Sequence, residues 1–286
     1  MRRLVDGGAN SGAVGSTVRR AGALLGAGMT WGLVEAGRPR LREHLELEVP
    51  GLPADLDGLR IVHLSDFHLG VPSPGVLAAE RGVAWAAARQ PDLVAITGDL
   101  LTHPRGEPRL RRLAALLPQP AFAILGNHDV AIARDPFARR SSLRELTPVR
   151  LLRDEGELIE LRGRSVWIAG VDPRMVVRSL RRLDPNALAR EADFRILLCH
   201  YPRVLDVLEP DRFDLVLAGH MHDGQIAIPY PGGKVRLAHP SARYANGVYR
   251  SRAAVMHVSP GLGTTFVPFR FGARPEATEL VLRSPR

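Results

Sequence analysis

Seven side chains that can bind metal ions occur along this sequence, most of them directly behind a short apolar run. They are Asp66, His68, Asp99, Asn127, His200, His220 and His222. Carboxylate, amide and imidazole ligands at the ends of successive strands can build a two-metal site, and such sites hydrolyse phosphoesters. The residue types and their order therefore point to metal-dependent phosphoester chemistry.

The apolar runs that precede these residues are short and aliphatic. They are Leu59–Leu64, Leu93–Thr97, Phe122–Leu125, Arg195–Cys199 and Leu215–Ala218. A single short apolar run does not distinguish a strand from a buried helix. Because each of the five runs ends close to a polar residue that can bind a metal, we interpret them as strands that position one site.

Two of the motifs pair ligands two residues apart, namely Asp66 with His68 and His220 with His222. In extended backbone, residues i and i+2 point to the same side of the chain. The spacing therefore allows either pair to bind a single metal ion.

Two further candidates contribute oxygen atoms. Asp99 carries two carboxylate oxygens and could bridge two cations, whereas the neutral Asn127 would limit the negative charge that repels phosphate. The alternative for Asp99 is a helix N-cap or turn residue, and for Asn127 an ordinary turn.

A two-metal site of this kind needs few protein groups for the chemical step. Two metal ions about 3.5–4 Å apart can hold a bridging hydroxide and clamp a phosphate. Metal binding lowers the pKa of water towards neutrality, so the nucleophile would not require a protein base. His128 follows Asn127 directly and should project away from that ligand, which suits a general acid or a partner of the developing charge.

Taken together, the motifs resemble the signature of the calcineurin-like metallophosphoesterases. The segments that carry the resemblance are Asp66-x-His68, Gly98-Asp99, Gly126-Asn127-His128-Asp129, His200 and Gly219-His220-x-His222. The resemblance covers residues 58 to 283. Segments 224–225, 241–247, 259–263 and 270–276 are similar to a bacterial branch of this family that often carries an N-terminal membrane or export segment.

The resemblance implies an α/β fold in which a two-sheet β-sandwich is flanked by helices, in a single catalytic domain. It implies two divalent ions, and manganese, zinc and iron are usual in the family; the ligands alone do not choose among them. His128 is implied near the leaving group, and Asp129 is a further catalytic candidate. The implied allocation gives Asp66, His68, Asp99 and His222 to the first ion, and Asp99, Asn127, His200 and His220 to the second.

Two positions depart from the family pattern. Many relatives have an aspartate three residues after the bridging aspartate, where it helps to orient the catalytic histidine. This chain has Thr102 there, and His103 or Asp129 is expected to substitute. Asp223 stands where the branch usually has glycine, and we expect it to reshape the phosphate pocket or to add a carboxylate near the metals. Neither change removes a ligand, so activity is expected.

The chain divides into residues 1–36 at the N-terminus, a connector at 37–57 and a catalytic domain at 58–286. Strands and helices alternate in the domain, which is typical of an α/β fold, and 130–150 is expected to form a loop or small cap near the site. Helices are predicted at Pro74–Arg89, Arg109–Leu117 and around Asn186–Glu191. Further strands are predicted at His44–Val49, near Leu158, and at Ser165–Val171 and Ala277–Leu282.

The N-terminal part contains Arg19 and Arg20, followed by the uncharged stretch Ala21–Val34. This stretch is shorter than the about 20 residues that a membrane span needs. It fits a signal anchor or a cleaved export signal behind a basic start, and a soluble N-terminal helix is the alternative. We therefore expect association with, or export across, a bacterial inner membrane, with a cytoplasmic location left open.

The formal charge is +9, and arginine supplies almost all of the positive charge. The charge suits an anionic phosphoester, lipid-linked or nucleotide-linked, and allows contact with anionic membrane lipid; base-composition bias is the alternative. Arg243 and Tyr244, near His239, are expected to line the substrate groove. No aromatic residues interleave the arginine clusters and no nucleic-acid module is recognisable, so no specific nucleic-acid partner is expected.

The leading functional hypothesis is a phosphodiesterase or pyrophosphohydrolase with a dinuclear metal centre and a metal-bound hydroxide. A nuclease is an alternative because of the net charge. A non-catalytic metal-binding scaffold is a second alternative, although such relatives usually lose ligands and this chain keeps all seven. The single cysteine, Cys199, excludes an internal disulfide, and the oligomeric state is left open.

Overall fold

The computed structural model describes residues 23, 26–183 and 191–285. A helix over residues 26–36 (α1) is followed by α2 (Gly75–Arg89), α3 (Glu107–Ala114) and α4 (Val176–Leu183). The helix expected around Asn186–Glu191 lies outside the described residues except at its last position, and so does most of the expected N-terminal segment. Among the helices of the described ranges, none is long and apolar enough to cross a membrane.

The strands form two six-stranded sheets and a separate hairpin. The first sheet has the order β1 (Arg40–Glu48), β14 (Glu276–Arg283), β2 (Arg60–Leu64), β3 (Leu93–Thr97), β4 (Ala121–Ile124) and β5 (Arg150–Leu151). The second has the order β12 (Gly247–Arg250), β13 (Val255–Val258), β9 (Leu215–Ala218), β8 (Phe194–Leu198), β7 (Arg164–Gly170) and β6 (Glu155–Leu161). The hairpin consists of β10 (Ala227–Tyr230) and β11 (Gly233–Arg236).

The five strands expected to precede the metal ligands are parallel to their neighbours among them, three in the first sheet and two in the second. In the first sheet β2 pairs with β3 and β3 with β4, and in the second β8 pairs with β9. Parallel strands that are covered on both faces are continuously aliphatic, which explains why these runs show no polar alternation. Their carboxyl ends therefore lie along one edge of each sheet.

The two sheets pack face to face around a shared apolar core. Ile61 and Phe122 of the first sheet lie in one buried cluster with Ile196 and Leu215 of the second. Successive residues of a strand point to opposite faces, so the neighbouring positions along these strands face outwards, towards the helices.

The outer faces of the sheets are covered by helices. Val62 of β2 packs with Val83 of α2 and Leu110 of α3, and Val216 of β9 packs with Leu180 of α4. The expected α/β fold, a two-sheet sandwich flanked by helices, is confirmed.

Two segments outside the regular alternation also belong to this framework. Strand β1 lies within the segment interpreted as a connector and pairs in parallel with β14, so residues 40–48 form an edge of the first sheet. The expected loop at 130–150 contains no helix or strand before β5 begins at Arg150. It is nevertheless packed, because Leu143, Leu146 and Val149 are buried in the same cluster as Val83 and Leu110.

Candidate metal centre

The seven potential ligands all lie in the turns that follow the parallel strands. Asp66 and His68 come after β2, Asp99 after β3, Asn127 after β4, His200 after β8, and His220 and His222 after β9. Five of them have left-handed backbone, with φ between 49° and 74°: Asp66, His68, Asp99, His220 and His222. Non-glycine residues adopt this conformation rarely, and it concentrates at functional sites where the surrounding structure enforces it.

Two glycines allow these turns to approach each other closely. A Cβ atom on Gly126, just before Asn127, would lie 2.1 Å from an Asp99 carboxylate oxygen. A Cβ atom on Gly219, just before His220, would lie 2.5 Å from an Asp66 carboxylate oxygen. Both separations are far below van der Waals contact, so glycine is required where one motif packs against the carboxylate of another.

The first group of potential ligands is formed by Asp66, His68 and His222. One ligand atom from each lies within 4.8 Å of the others. The Nε2 atoms of His68 and His222 are 3.0 Å apart, and the His222 Nε2 atom is 3.4 Å from Asp66 Oδ1. Three donor atoms from two different sheets therefore point at one small volume.

The second group is formed by Asp99, His200 and His220, with Asn127 beside them. The His200 Nε2 atom is 3.3 Å from Asp99 Oδ2 and 2.8 Å from Asn127 Oδ1. The other ring nitrogen of His200 donates to the carbonyl of Thr97 at 2.8 Å, so Nε2 is the nitrogen directed at the two oxygen atoms. This is the arrangement in which a histidine binds a metal through one nitrogen while the other nitrogen is held by a carbonyl.

Asp99 lies between the two groups. Its Oδ2 atom is 3.5 Å from the His68 Nε2 atom and 3.3 Å from the His200 Nε2 atom. The side chain is almost fully buried, and its other oxygen accepts a hydrogen bond from the backbone N–H of His128 at 2.8 Å. A carboxylate in this position can serve both groups at once.

His220 and His222 are two residues apart in the sequence but do not belong to the same group of potential ligands. The structure places His222 with Asp66 and His68, and His220 with Asp99 and His200. The same-side argument assumed extended backbone, whereas both histidines are left-handed, with φ of 74° and 49°. The spacing allowed this pair to share one metal, but the two histidines lie in different groups, as in the allocation that the family resemblance implied.

The electrostatics of the buried site favour neutral imidazoles at His68, His220 and His222. Burial opposes the protonation of His200, but Asp99 raises the pKa of His200 to about 9. Burial holds the pKa values of His68 and His222 well below their usual range and lowers the pKa of His220 to about 3. Burial opposes the ionisation of Asp99, but His200 and His128 hold the pKa of Asp99 well below its usual range. Neutral imidazoles and an ionised carboxylate are the donors that divalent transition metals require, so these residues fit such ions, with the proton of His200 released on metal binding.

Other side chains lie within hydrogen-bonding distance of the potential ligands. The Thr102 hydroxyl lies 2.9 Å from the Nδ1 atom of His68. Thr102 occupies the position where relatives carry an aspartate, and here it contacts a potential ligand. His103 was one of the two residues expected to replace the missing aspartate. Its side chain instead accepts a hydrogen bond from the backbone N–H of Arg105 at the start of a short helical turn.

His128 has a different set of neighbours from those expected. Its Nε2 atom is 3.9 Å from Asp99 Oδ2 and 3.3 Å from the hydroxyl of Thr265, and its Nδ1 atom is 3.8 Å from Asp135 Oδ2. Thr265 also donates to Asp135 at 2.9 Å. Asp135 and Thr265 thus flank the imidazole, and neither residue was identified from the sequence because they lie in irregular loops far apart along the chain.

Asp129 was expected to help orient His128, but its carboxylate contacts other groups. Its carboxylate accepts backbone N–H groups of Leu100, Leu101 and Gly126 at 2.8–3.1 Å. Burial, with the nearby charge of Asp99, raises the pKa of Asp129 to about 7. Asp129 ties the turn after β3 to the turn after β4, so its observed contacts are structural and its expected catalytic role is not supported by this geometry.

Asp223 lies at the side of the site, with its carboxylate directed at the hairpin. It pairs with Lys234 and with Arg236, whose Nε atom is 2.8 Å from Asp223 Oδ1. Its backbone is left-handed, with φ of 50°, which explains why a glycine suits this position in relatives. The additional carboxylate expected here is present, but it already forms ion pairs with Lys234 and Arg236.

The expected substrate residues line a large cavity that reaches the metal centre. Arg243, Tyr244 and His239 share this cavity of about 1100 Å³ with the potential ligand His220. The Tyr244 hydroxyl donates to Asp206 at 2.8 Å, and Arg243 Nη1 is 3.2 Å from the same oxygen. Arg243 is largely exposed, whereas Tyr244 is buried, so of these two residues the arginine is the one open to a ligand.

The fold and the convergent ligands define a phosphoester hydrolase. Known proteins with similar sequences belong to the same class. The model of the family described as calcineurin-like phosphoesterase matches residues 59–224. The metallophosphoesterase YkoQ of Bacillus subtilis is 31% identical over 235 residues, covering 80% of this chain and 84% of that protein. YkuE of the same organism is 30% identical over 276 residues, covering 92% and 93%. The chain belongs to the calcineurin-like phosphoesterase family.

A more distant relative is named for its activity. The UDP-2,3-diacylglucosamine pyrophosphatase LpxG of Chlamydia muridarum is 24% identical over 274 residues, which cover 76% of this chain and 80% of that protein. The resemblance drawn from the sequence motifs is confirmed at the level of the family.

Proposed function

We propose that this protein hydrolyses a phosphodiester or pyrophosphate bond at a centre of two divalent metal ions. The observation that carries the proposal is the position of Asp99, whose Oδ2 atom is within 3.5 Å of a histidine nitrogen from each group. A single carboxylate between two convergent ligand sets is what a dinuclear site requires.

The ligands divide between the ions according to the two groups. Asp66, His68 and His222 would hold the first ion and His200, Asn127 and His220 the second, with Asp99 shared by both. The distances within each group support this allocation. The donor set combines imidazoles with carboxylate and amide oxygens, which suits manganese, zinc or iron and does not select one of them.

When bound, the ions would supply a water nucleophile at neutral pH and offset the negative charge of the phosphate. His128 is the residue best placed to give a proton to the departing oxygen, because its Nε2 atom is directed towards Asp99 at the edge of the site. Asp135 and Thr265 flank the ring and would fix its orientation. Substrate would enter through the cavity lined by His220 and Arg243.

For the substrate we propose an anionic, lipid-linked or nucleotide-linked phosphoester. The relative LpxG carries the name of a pyrophosphatase that acts on a diacylated nucleotide sugar. The cavity beside His220 has both apolar and cationic walls, including Val176, Val207 and Arg203. A location at, or export across, a bacterial inner membrane belongs to the same proposal, because the stretch Ala21–Val34 is uncharged behind Arg19 and Arg20.

The test is hydrolysis of bis(4-nitrophenyl) phosphate by the full chain with added manganese, together with the metal content of the purified protein. Asp99→Asn keeps the shape of the side chain but removes its charge, so we expect loss of turnover and of both metal ions. Asp193→Asn changes an exposed aspartate in the same way and should behave as wild type. Full turnover in Asp99→Asn would refute the shared-carboxylate centre.

The same assay addresses the alternative classes. Cleavage of single-stranded or double-stranded DNA faster than cleavage of the aryl diester would favour a nuclease. Two bound metals with no turnover of diesters, monoesters or pyrophosphate-linked substrates would favour a scaffold.

A further inference from the structure

A second cavity opens at the edge of the sheets that carries the metal centre. It is lined by residues 130, 140–144, 153, 154, 172 and 174, which follow β4, β5 and β7. Strand β5 lies beside β4, which precedes Asn127, and β7 lies beside β8, which precedes His200. The cavity therefore lies along the same edge as the metal centre, one strand further out in each sheet, and none of the seven potential ligands is among its lining residues.

The two carboxylates of this cavity already have cationic partners. Asp172 pairs with Arg174 at 2.6 Å, and Asp154 pairs with Arg182 at 3.4 Å. Burial opposes the ionisation of Asp172, but Arg174, with Arg153 at longer range, lowers the pKa of Asp172. Asp154 Oδ1 also accepts the backbone N–H of Asp172 at 2.8 Å, which ties the turn after β5 of the first sheet to the turn after β7 of the second.

Three further arginines line the cavity without a carboxylate of their own. Arg140, Arg144 and Arg153 are exposed, and in the part of the chain that the structure describes none of them lies at ion-pairing distance from an aspartate or a glutamate. The lining contains four arginines and two aspartates in all, so it has an excess of two positive charges. We call it the arginine cavity.

The loop that carries Arg140 and Arg144 is held in place by the rest of the fold. The backbone N–H of Ser141 donates to the carbonyl of Asp129 at 2.8 Å, and Leu143 is buried in the core cluster behind the first sheet. The Ser141 hydroxyl accepts the backbone N–H of Leu143 at 3.0 Å. Because the backbone is fixed before a ligand arrives, binding costs less conformational entropy than it would in a mobile loop.

We infer that the arginine cavity binds a pyrophosphate group, either as the free anion or as part of a nucleotide. Guanidinium groups stay charged and bind phosphate oxygens through paired N–H donors. The three arginines without carboxylates and the excess of positive charge match an anion with at least two negative charges. The volume of about 670 Å³ lies within the range of about 300–1,000 Å³ that small-molecule sites have, so there is room for more than one phosphate group.

This site goes beyond the proposed hydrolysis and does not rest on it, because binding is measured without metal and without turnover. The test is calorimetric titration of the metal-free full chain with sodium pyrophosphate. A salt concentration of about 0.15 M is used, because exposed charges more than about 8 Å apart are then largely screened. Near-ultraviolet circular dichroism checks that each metal-free protein is folded.

Wild type should bind pyrophosphate, and Arg144→Gln/Arg153→Gln should bind it at least about tenfold more weakly, because two charged hydrogen-bond donors are lost. The matched control is Arg250→Gln/Arg252→Gln, at the far edge of the second sheet. Both of these arginines are exposed, and within the described ranges neither has a carboxylate partner. The control lowers the net charge by the same amount and should bind as wild type.

Titration with adenosine 5′-diphosphate distinguishes the two sources of the anion. Tighter binding than that of inorganic pyrophosphate, lost in Arg144→Gln/Arg153→Gln, assigns the cavity to a nucleotide, and weaker or equal binding assigns it to the free anion. The inference is overturned if wild type binds neither compound or if Arg144→Gln/Arg153→Gln binds both as wild type does. It is also overturned if the control variant loses as much affinity, since the attraction would then come from the net charge alone.

Discussion

The guanidinium of Arg270 lies 2.9 Å from the Nδ1 atom of His222, on the opposite side of the imidazole from Asp66 and His68. Arginine can only donate hydrogen bonds, so Nδ1 accepts in this contact and the neutral ring carries its proton on Nε2, which a metal ion bound at Nε2 would have to displace. The remaining N–H groups of Arg270 donate to the carbonyls of Pro260, Gly263 and Ala273. A fully buried arginine thus joins the last irregular segment of the chain to a metal ligand.

This contact predicts that Arg270 controls metal affinity in the first group. Arg270→Lys keeps the charge but loses the planar set of donors that holds the loop and the imidazole together. We expect the affinity for one of the two metal ions to fall about 10–100-fold, measured by calorimetric titration of the metal-free protein. Arg274→Lys, at an exposed arginine nearby, is the control, and equal affinities in the two variants would contradict the prediction.

His128 is predicted to act in the chemical step without holding a metal. His128→Ala should lower kcat about 10²–10⁴-fold, while the metal content stays near that of wild type. Asp135→Asn should produce a smaller loss, because it disturbs only the orientation of the ring. The readouts are steady-state kinetics on the aryl diester and elemental analysis of the same samples. Loss of metal in His128→Ala would mean that this histidine is a ligand.

Asp223 is predicted to stabilise the hairpin against the centre. Its carboxylate is buried, but Lys234 and Arg236 remain about 30% exposed, so solvent weakens the ion pairs. Asp223→Ala should lower the free energy of unfolding by about 1–2 kcal/mol. Asp223→Gly loses the same ion pairs but should be about 1 kcal/mol more stable than the alanine variant, because φ is positive at this position. Denaturant unfolding measures both, and equal stabilities would argue against backbone strain.

A pH dependence of stability is predicted from the buried pair His63 and His257, whose Nδ1 atoms are 2.8 Å apart. Burial, together with the charge of His257, holds the pKa of His63 well below its usual range, and burial lowers the pKa of His257 to about 3. Below about pH 6.5 the unfolded chain therefore binds protons that the folded chain does not. This stabilising contribution is complete above about pH 6.5 and is lost as the pH falls below it.

The variant His257→Leu isolates this effect from the other histidines. Between pH 7 and pH 5 the metal-free wild type should lose about 2 kcal/mol more stability than the variant, since one such histidine contributes about 1.4 kcal/mol per pH unit below 6.5. Urea unfolding at the two pH values gives the difference. Identical pH dependence in both proteins would show that the pair does not titrate as described.

The sequence by itself determined the strands that precede the potential ligands, the fold class and the family. Short aliphatic runs such as Leu93–Thr97, each followed by a polar residue that can bind a metal, are typical of parallel strands covered on both faces, and such strands bring their carboxyl ends to one edge. Asp99 and His200 are therefore brought together although about a hundred positions separate them, and the residue types alone indicate metal chemistry.

Only the tertiary structure decided which neighbours surround those residues. Asp135 beside His128, Arg270 behind His222 and the two cations on Asp223 all come from loops or from a hairpin, where no periodicity reports which way a side chain points. The spacing of His220 and His222 only allowed them to share a metal, and left-handed backbone sends them to different groups. Contacts between distant irregular segments depend on how the sheets and loops pack, and packing is a property of the folded chain as a whole.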